Sequence, residues 1–416
     1  MKLIGASIVL TCDESFTILK NGGILFCDEN IIKIGQFDKL KEEFKKNNLQ
    51  EVRFYDSCVI TPALINSHIH FEFSKNYSTL SYGNFGKWLD SIMQNRDILM
   101  QDSTNYIKNA IKETLYSGVG SVGAISSNGL DIELLNKSFL KVVLFNEIMG
   151  TNKDFLNKVK DNFKERLEKS KLLENSKFKA AIALHSPYSL DIELAKYAIN
   201  LAKDSKMPIS THFLESKEEL TWLENNNGYF KDFFKYFFKK ENAKPCYSKD
   251  SFLELFKESK TLFVHCLHLD NKTWDKISKL DSSIISCPRS NRLLNNKYFD
   301  LANANKYNFP LIIATDGRSS NNSLNMLDEA RCALFAYKDY EINNLAKEIV
   351  LAMTKNPAKA LGLNNGILES NKDSDFAIFY IKDISTTTQI ELNFILHARK
   401  VQDLYINGKR IDIENN

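Results

Sequence analysis

The chain has 416 residues, of which 43% are hydrophobic and 26% charged, the make-up of an ordinary folded protein with enough length to bury a large core. Its 55 basic and 52 acidic side chains leave a net charge of +3, so overall charge draws it to neither nucleic acid nor an anionic membrane. No apolar run approaches the roughly 18 residues a membrane helix needs. Seven cysteines without a CxxC pair read as reduced thiols in a cytoplasmic protein.

The first residues, MKLIGASIVLTCDES, read as a strand rather than a leader, because the apolar stretch is short and Asp13 and Glu14 follow at once. Residues 3–10 and 23–36 read as short strands, the second a hairpin turning at Asp28-Glu29-Asn30. An amphipathic surface helix over 39–47 and a strand over 51–60 complete a small β unit.

From residue 60 to about 353 the pattern changes. Short apolar runs recur at 60–66, 120–125, 141–146, 180–184, 208–211, 261–264, 282–286 and 310–314. Helical periodicity fills most of the gaps, over 103–117, 154–174, 191–205 and 249–259, and is weak between 284 and 312. Strands alternating with helices imply a parallel sheet, and eight of them imply an α/β fold closed as a (β/α)8 barrel of the TIM type. An open doubly wound sheet is the alternative, but no Gly-rich turn follows the first strand. After Asn356-Pro357 come a short helix (358–361) and strands near 376–381 and 400–407, with a hairpin signal at Asn407-Gly408. The expected organisation is a small β domain composed of residues 1–58 and 357–416, and a catalytic barrel over 59–356.

In such a barrel the reactive side chains gather at the carboxyl ends of the strands. His68 and His70, in TPALINSHIHFEFS, follow the first apolar run. Alternate residues of a strand point the same way, so both imidazoles can grip one metal ion. Alone, His-x-His is weak. Downstream, His185, His212, His265 and Asp316 follow the fourth, fifth, sixth and eighth runs. A lone histidine is more often a hydrogen-bonded core or rim residue than a ligand. Five separate strand ends carrying His or Asp on one face are hard to explain that way.

These histidines lie in LHSPYSL (184–190), THFLES (211–216) and VHCLHLD (264–270), followed by SCPRSNRLL (286–294), ATDGRSSNNSLNMLDEAR (314–331) and NPAKALGL (356–363). The ordered set resembles the amidohydrolase superfamily, in its branch of one-metal deaminases acting on adenine nucleosides and related heterocycles. The resemblance spans nearly the whole chain. It implies metal ligation by His68, His70, His212 and Asp316. Three neutral imidazoles and one carboxylate leave a single divalent ion, Zn²⁺ or Fe²⁺, a place for water. No lysine stands in LHSPYS to bridge two metals. Glu215 is then the implied general acid, protonating the purine ring nitrogen while water attacks the neighbouring carbon; a helix-capping carboxylate is its plainer alternative. Asp316 would take the water's proton and relay it to departing ammonia, and His265 would orient the attacking oxygen.

On the substrate side, Glu72 is expected at the mouth, its two oxygens suited to the vicinal hydroxyls of a ribose. His185 is expected to contact the ribose or the substituent beyond it, and Trp88 to lie on a helix over the barrel mouth. Ser290 is counted with this set as a residue shaping its loop. The aromatic stretch 220–247 reads equally well as a lid or as an outer helix. No arginine lies between Arg96 and Arg166, which counts against a homocysteine-type carboxylate in the substrate. The form HIHFEFS is most similar to aminofutalosine deaminases, whose substrate is an adenosine bearing a benzoate-containing group in place of the 5′-hydroxyl. The expected partner is therefore a small-molecule nucleoside, with no nucleic acid and no membrane, and a homodimer is left open. Other readings are a methylthioadenosine/S-adenosylhomocysteine deaminase, or a guanine or triazine hydrolase with the same metal site. A non-catalytic barrel would require missing ligands, and none is missing. A nucleic-acid deaminase of the other zinc architecture is disfavoured, because Pro245-Cys246 has neither the second cysteine nor the His-x-Glu which that architecture sets beside it.

Overall fold

The computed structural model describes residues 1–414. Four strands come first: β1 (Lys2–Leu10), β2 (Ile18–Cys27), β3 (Asn30–Gln36) and β4 (Glu51–Pro62). Seven follow in the middle of the chain: β5 (Leu64–Ile69), β6 (Val119–Ser126), β7 (Lys141–Ile148), β8 (Phe178–Leu184), β9 (Ile209–Phe213), β10 (Thr261–His265) and β11 (Ser282–Ile285). Three short ones close it: β12 (Phe376–Tyr380), β13 (Asp403–Ile406) and β14 (Lys409–Arg410).

The outer strands form one mixed sheet from both ends of the chain, ordered β14-β13-β12-β4-β1-β2-β3. Its last hairpin turns on Asn407 and Gly408, both left-handed with φ of 49° and 67°, the conformation an Asn-Gly pair supplies at least cost. The middle strands form a parallel sheet in sequence order, β5 through β11. Every residue of β6 and β7 is buried, as a parallel sheet covered by helices requires. Period-two alternation divides the core. Val143, Phe145, Ala181, Ala183, Leu262 and Val264 fill the barrel, while Val142, Leu144, Ile182, Leu184 and Phe263 face the surrounding helices.

The barrel departs from expectation at its seam. The expected eighth strand, 310–314, forms a single parallel bridge, Ser286 to Ile313, instead of a ladder. The reason is an intruder. The end of the helix Ile342–Ala352 enters the gap, its Ala352 and Met353 carbonyls accepting the Ile313 and Ile65 amides. Closure passes to isolated bonds: Asn66 and Thr315 exchange two hydrogen bonds through their side chains and the Thr315 amide (2.7 and 3.2 Å), and the Asp316 amide donates to the His68 carbonyl. The expected first barrel strand, 60–66, straddles a break. β4 runs through Pro62, the Ala63 amide donates to Asp375, and β5 begins at Leu64. Between Ile284 and Ile312 the weak periodicity resolves into two short helices, Pro288–Asn295 and Leu301–Lys306, and the helix expected over 249–259 stops at Glu254.

Candidate active site

The strand tips converge as the barrel rule requires. Nε2 of His68 lies 3.3 Å from Nε2 of His70 and 3.2 Å from Nε2 of His212. Oδ1 of Asp316 lies 3.6 Å from both His68 and His70 Nε2. Bare nitrogens this close repel unless something positive sits between them. Donors about 2.1 Å from one ion at tetrahedral angles are about 3.4 Å apart, close to these four separations. Burial lowers the pKa of all these imidazoles, that of His70 to about 3, so they stay neutral and keep the lone pairs that ligation needs. His212 holds its tautomer by donating from Nδ1 to the His185 carbonyl at 2.8 Å, leaving Nε2 free. The donor set fits a divalent cation.

The backbone is strained where these groups are presented. Leu214, His265 and Asp316 adopt left-handed φ of 48°, 70° and 60°, unusual for residues with side chains. The residue after Asp316 must be small, because a Cβ on Gly317 would come 2.8 Å from Cβ of His70. Asp316 is fixed by three donors: the Gly317 amide to Oδ1 (2.8 Å), and the Ser290 and Ser320 hydroxyls to Oδ2 (2.8 and 2.7 Å). Burial would raise its pKa, but the facing histidines hold it well below the usual carboxylate range.

Glu215 sits on the turn leaving β9. The Glu219 carboxylate locks that turn by accepting the Leu214 and Glu215 amides at 2.9 and 3.0 Å, and Ser216 caps the helix Lys217–Asn225 that follows. The Glu215 side chain reaches the cavity, with Oε1 3.7 Å from Nε2 of His265. Burial, then the nearby Asp316 charge, pushes its pKa well above that of an ordinary carboxyl, which favours the protonated form. His265 is oriented by its Nδ1 bond to Asn291 Oδ1, 2.8 Å.

These groups line one side of a cavity of about 350 Å³, a size suited to a small molecule. His185 lines it too, its Nδ1 engaged with Ser189 at 2.6 Å. Trp88 forms part of the wall, its indole donating to the Ser319 carbonyl at 2.7 Å, on the helix Phe85–Met100 expected over the mouth. The stretch 220–247 contributes Phe233, Phe234 and Phe238 as a roof, on the helix Tyr229–Phe238. Phe230 anchors that helix by stacking on Tyr188 at 4.3 Å.

Two expected substrate contacts lie elsewhere. Glu72 is 1% exposed and does not line the cavity. Its oxygens are taken by the Ser127, Asn128 and Leu130 amides and the Asn128 side chain, so it ties β5 to the loop after β6 and has no oxygen to spare for a ribose. Ser290 is buried behind Asp316 and also stands outside the cavity lining. A residue the sequence reading passed over, Glu147, lines the cavity in their place. Its Oε2 accepts from Ser127 Oγ at 2.5 Å, its Oε1 is buried with no partner among the described residues, and burial raises its pKa to about 7. Glu147 stands near the end of β7, one residue past the expected strand, where the barrel rule would have flagged it.

A parallel barrel with three imidazoles and a carboxylate on its strand tips, and a buried acid beside them, defines a metal-dependent hydrolase. The chain belongs to the amidohydrolase family, which matches residues 59–411 and whose enzymes use a divalent metal. Among its relatives, a Helicobacter pylori protein called adenosine deaminase is 40% identical over 99% of both chains. The aminodeoxyfutalosine deaminase of a Nitratiruptor species is 37% identical over 98% of this chain and 99% of that one. A crystal structure of Helicobacter pylori aminofutalosine deaminase in complex with methylthio-coformycin superposes with a TM-score of 0.94 at 39% identity, covering 99% of this chain and 100% of that one.

Proposed function

We propose that this chain is a hydrolytic deaminase of 5′-substituted adenosines, converting aminodeoxyfutalosine to futalosine, with release of ammonia, in menaquinone biosynthesis. The observation that carries the reading is Glu215: a buried carboxyl 3.7 Å from His265, beside a cluster of neutral imidazoles and with its pKa pushed up by burial, suits donation to a heterocycle nitrogen. The full-length relatives named for this reaction support it.

A divalent ion, Zn²⁺ or Fe²⁺, held by His68, His70, His212 and Asp316, would lower the pKa of water toward about 7 and so supply the nucleophile at neutral pH. Glu215 gives its proton to N1 of the adenine, which draws electron density from C6 and opens it to attack. His265, fixed through Nδ1 by Asn291, turns Nε2 toward the attacking water and orients it. Asp316, steadied by Ser290 and Ser320, takes the proton that water gives up and passes it to the amino group on C6; as the C6–N bond breaks, ammonia leaves, C6=O forms and the water's second proton restores Glu215. Glu147 replaces Glu72 as the acceptor for a ribose hydroxyl, through its unpartnered Oε1, with His185 beside it. The roof of phenylalanines excludes water and packs on the 5′ substituent. Seven unpaired cysteines suit a cytoplasmic setting.

A deamination panel tests the reading: metal-loaded enzyme with aminodeoxyfutalosine, methylthioadenosine, adenosine, guanine and triazines. The expected result is loss of adenine absorbance for the 5′-substituted adenosines, with guanine and triazines unchanged. Unchanged absorbance across all three adenosines would refute it.

A further inference from the structure

Glu72 has no part in the chemistry, yet the loop after β6 is folded around it. The Ser127, Asn128 and Leu130 amides reach its two oxygens at 2.9, 2.9 and 2.8 Å, and the Asn128 side chain adds a fourth donor at 3.1 Å. Gly129 supplies the left-handed turn, φ 81°, between the Asn128 and Leu130 amides, so that successive N–H groups converge on one anion. The same loop meets the cavity at Ser127. Its hydroxyl donates to Oε2 of Glu147 at 2.5 Å, which leaves Oε1 as the oxygen with no partner among the described residues. From the far side, Nη2 of Arg166 donates to the Glu147 carbonyl at 2.6 Å and so fixes the backbone of that residue, not its carboxylate. The direction of the Glu147 carboxylate thus depends on Ser127, and the place of Ser127 depends on Glu72.

We propose that Glu72 is a positioning residue for ribose recognition: without touching substrate, it aims the Glu147 carboxylate at the vicinal hydroxyls through Ser127. The proposal rests on the reading of Glu147 as the ribose acceptor and adds the device that aims it. It competes with a plainer role, in which Glu72 only ties β5 to β6 for stability. Stability alone carries no dependence on the sugar of the substrate, which is where the two roles part.

Steady-state kinetics on methylthioadenosine and its 2′- and 3′-deoxy forms separate the roles, with thermal melts alongside. Glu72→Gln keeps the shape of the side chain but turns an NH₂ group toward the loop amides. It is expected to narrow discrimination between the ribose and deoxyribose compounds by about tenfold, the worth of one hydrogen bond to a charged group, in KM rather than kcat. Combined with Glu147→Gln it should be strongly non-additive, because the second change removes the group that the first misaims. Ser127→Ala leaves the loop amides on Glu72 and should narrow discrimination with little change in melting temperature, so it decides the matter if Glu72→Gln does not fold. Equal losses on all three compounds in Glu72→Gln, additive effects with Glu147→Gln, or full discrimination in Ser127→Ala would overturn the proposal while turnover by wild type upheld the deaminase reading. A Glu147→Gln enzyme that discriminates as wild type does would remove the ribose acceptor and the proposal with it. If wild type turns over none of the three the proposal falls, and the deaminase reading falls too only if aminodeoxyfutalosine is also left unchanged.

Discussion

The floor and the roof of the cavity are built on opposite plans. On the floor, Asp316, His212 and His265 are each pinned by hydrogen bonds from neighbouring strand tips and loops, and three of the residues there accept left-handed backbone to be held in place. The roof is held mostly by ring contacts, such as Phe230 on Tyr188 at 4.3 Å and Phe233 with Phe237 at 5.1 Å, with one hydrogen bond from Tyr229 to Asp90 tying its helix to Phe85–Met100. Directional bonds fix a reacting geometry, whereas aromatic surfaces fix only shape and polarity. The difference teaches that the reaction belongs to the strands and the choice of substrate to the helices.

Removing a ligand from the floor should break the comparison most severely. His212→Ala is expected to purify with less metal and to lose several kcal/mol of transition-state stabilisation, a fall in kcat/KM of roughly 10³-fold or more at 1.36 kcal/mol per decade. Metal analysis beside the rate checks this. Glu215→Gln should retain metal but lower kcat by about 10²–10⁴-fold, the range for a lost general acid. Because burial raises the pKa of Glu215, its proton persists above the usual carboxylate range and is lost as pH rises through that raised value. The wild-type rate should therefore decline on the alkaline side, and the Gln variant should lack that decline. Glu147→Gln sharpens the boundary between floor and roof. It should narrow discrimination between adenosine and its 2′- or 3′-deoxy forms by roughly tenfold, about one hydrogen bond to a charged group, mostly in KM. The smallest effect on activity belongs to the terminal sheet, where Tyr55 donates to Asp403 at 2.5 Å. Tyr55→Phe should cost about 1–3 kcal/mol of stability in denaturant melts with kcat unchanged.

The floor was legible in the sequence because it follows from a rule of position. Once the apolar runs alternate with helices, a His or Asp just past a run has one place to go, and His68, His70, His212, His265 and Asp316 all went there. Glu147 obeys the same rule, but the reading ended its strand at Asn146 while the ladder continues to Ile148. Glu72 shows where the rule stops. Sequence spacing from His70 puts it near the mouth, but whether its carboxylate faces substrate or the amides of a loop 55 residues away depends on packing between β5 and β6. The irregular eighth strand was hidden for a similar reason. Its apolar run, Leu311–Ala314, looks like any other, and only the arrival of Ala352 and Met353 takes its partners away.

Metal titration of the stripped protein, followed by deamination of methylthioadenosine, addresses the centre of this account most directly. Activity should rise in proportion to added Zn²⁺ or Fe²⁺ and stop at a single equivalent per chain, as one ion shared by three imidazoles and a carboxylate requires. Full turnover by stripped enzyme, or a rise that continues to two equivalents, would contradict it.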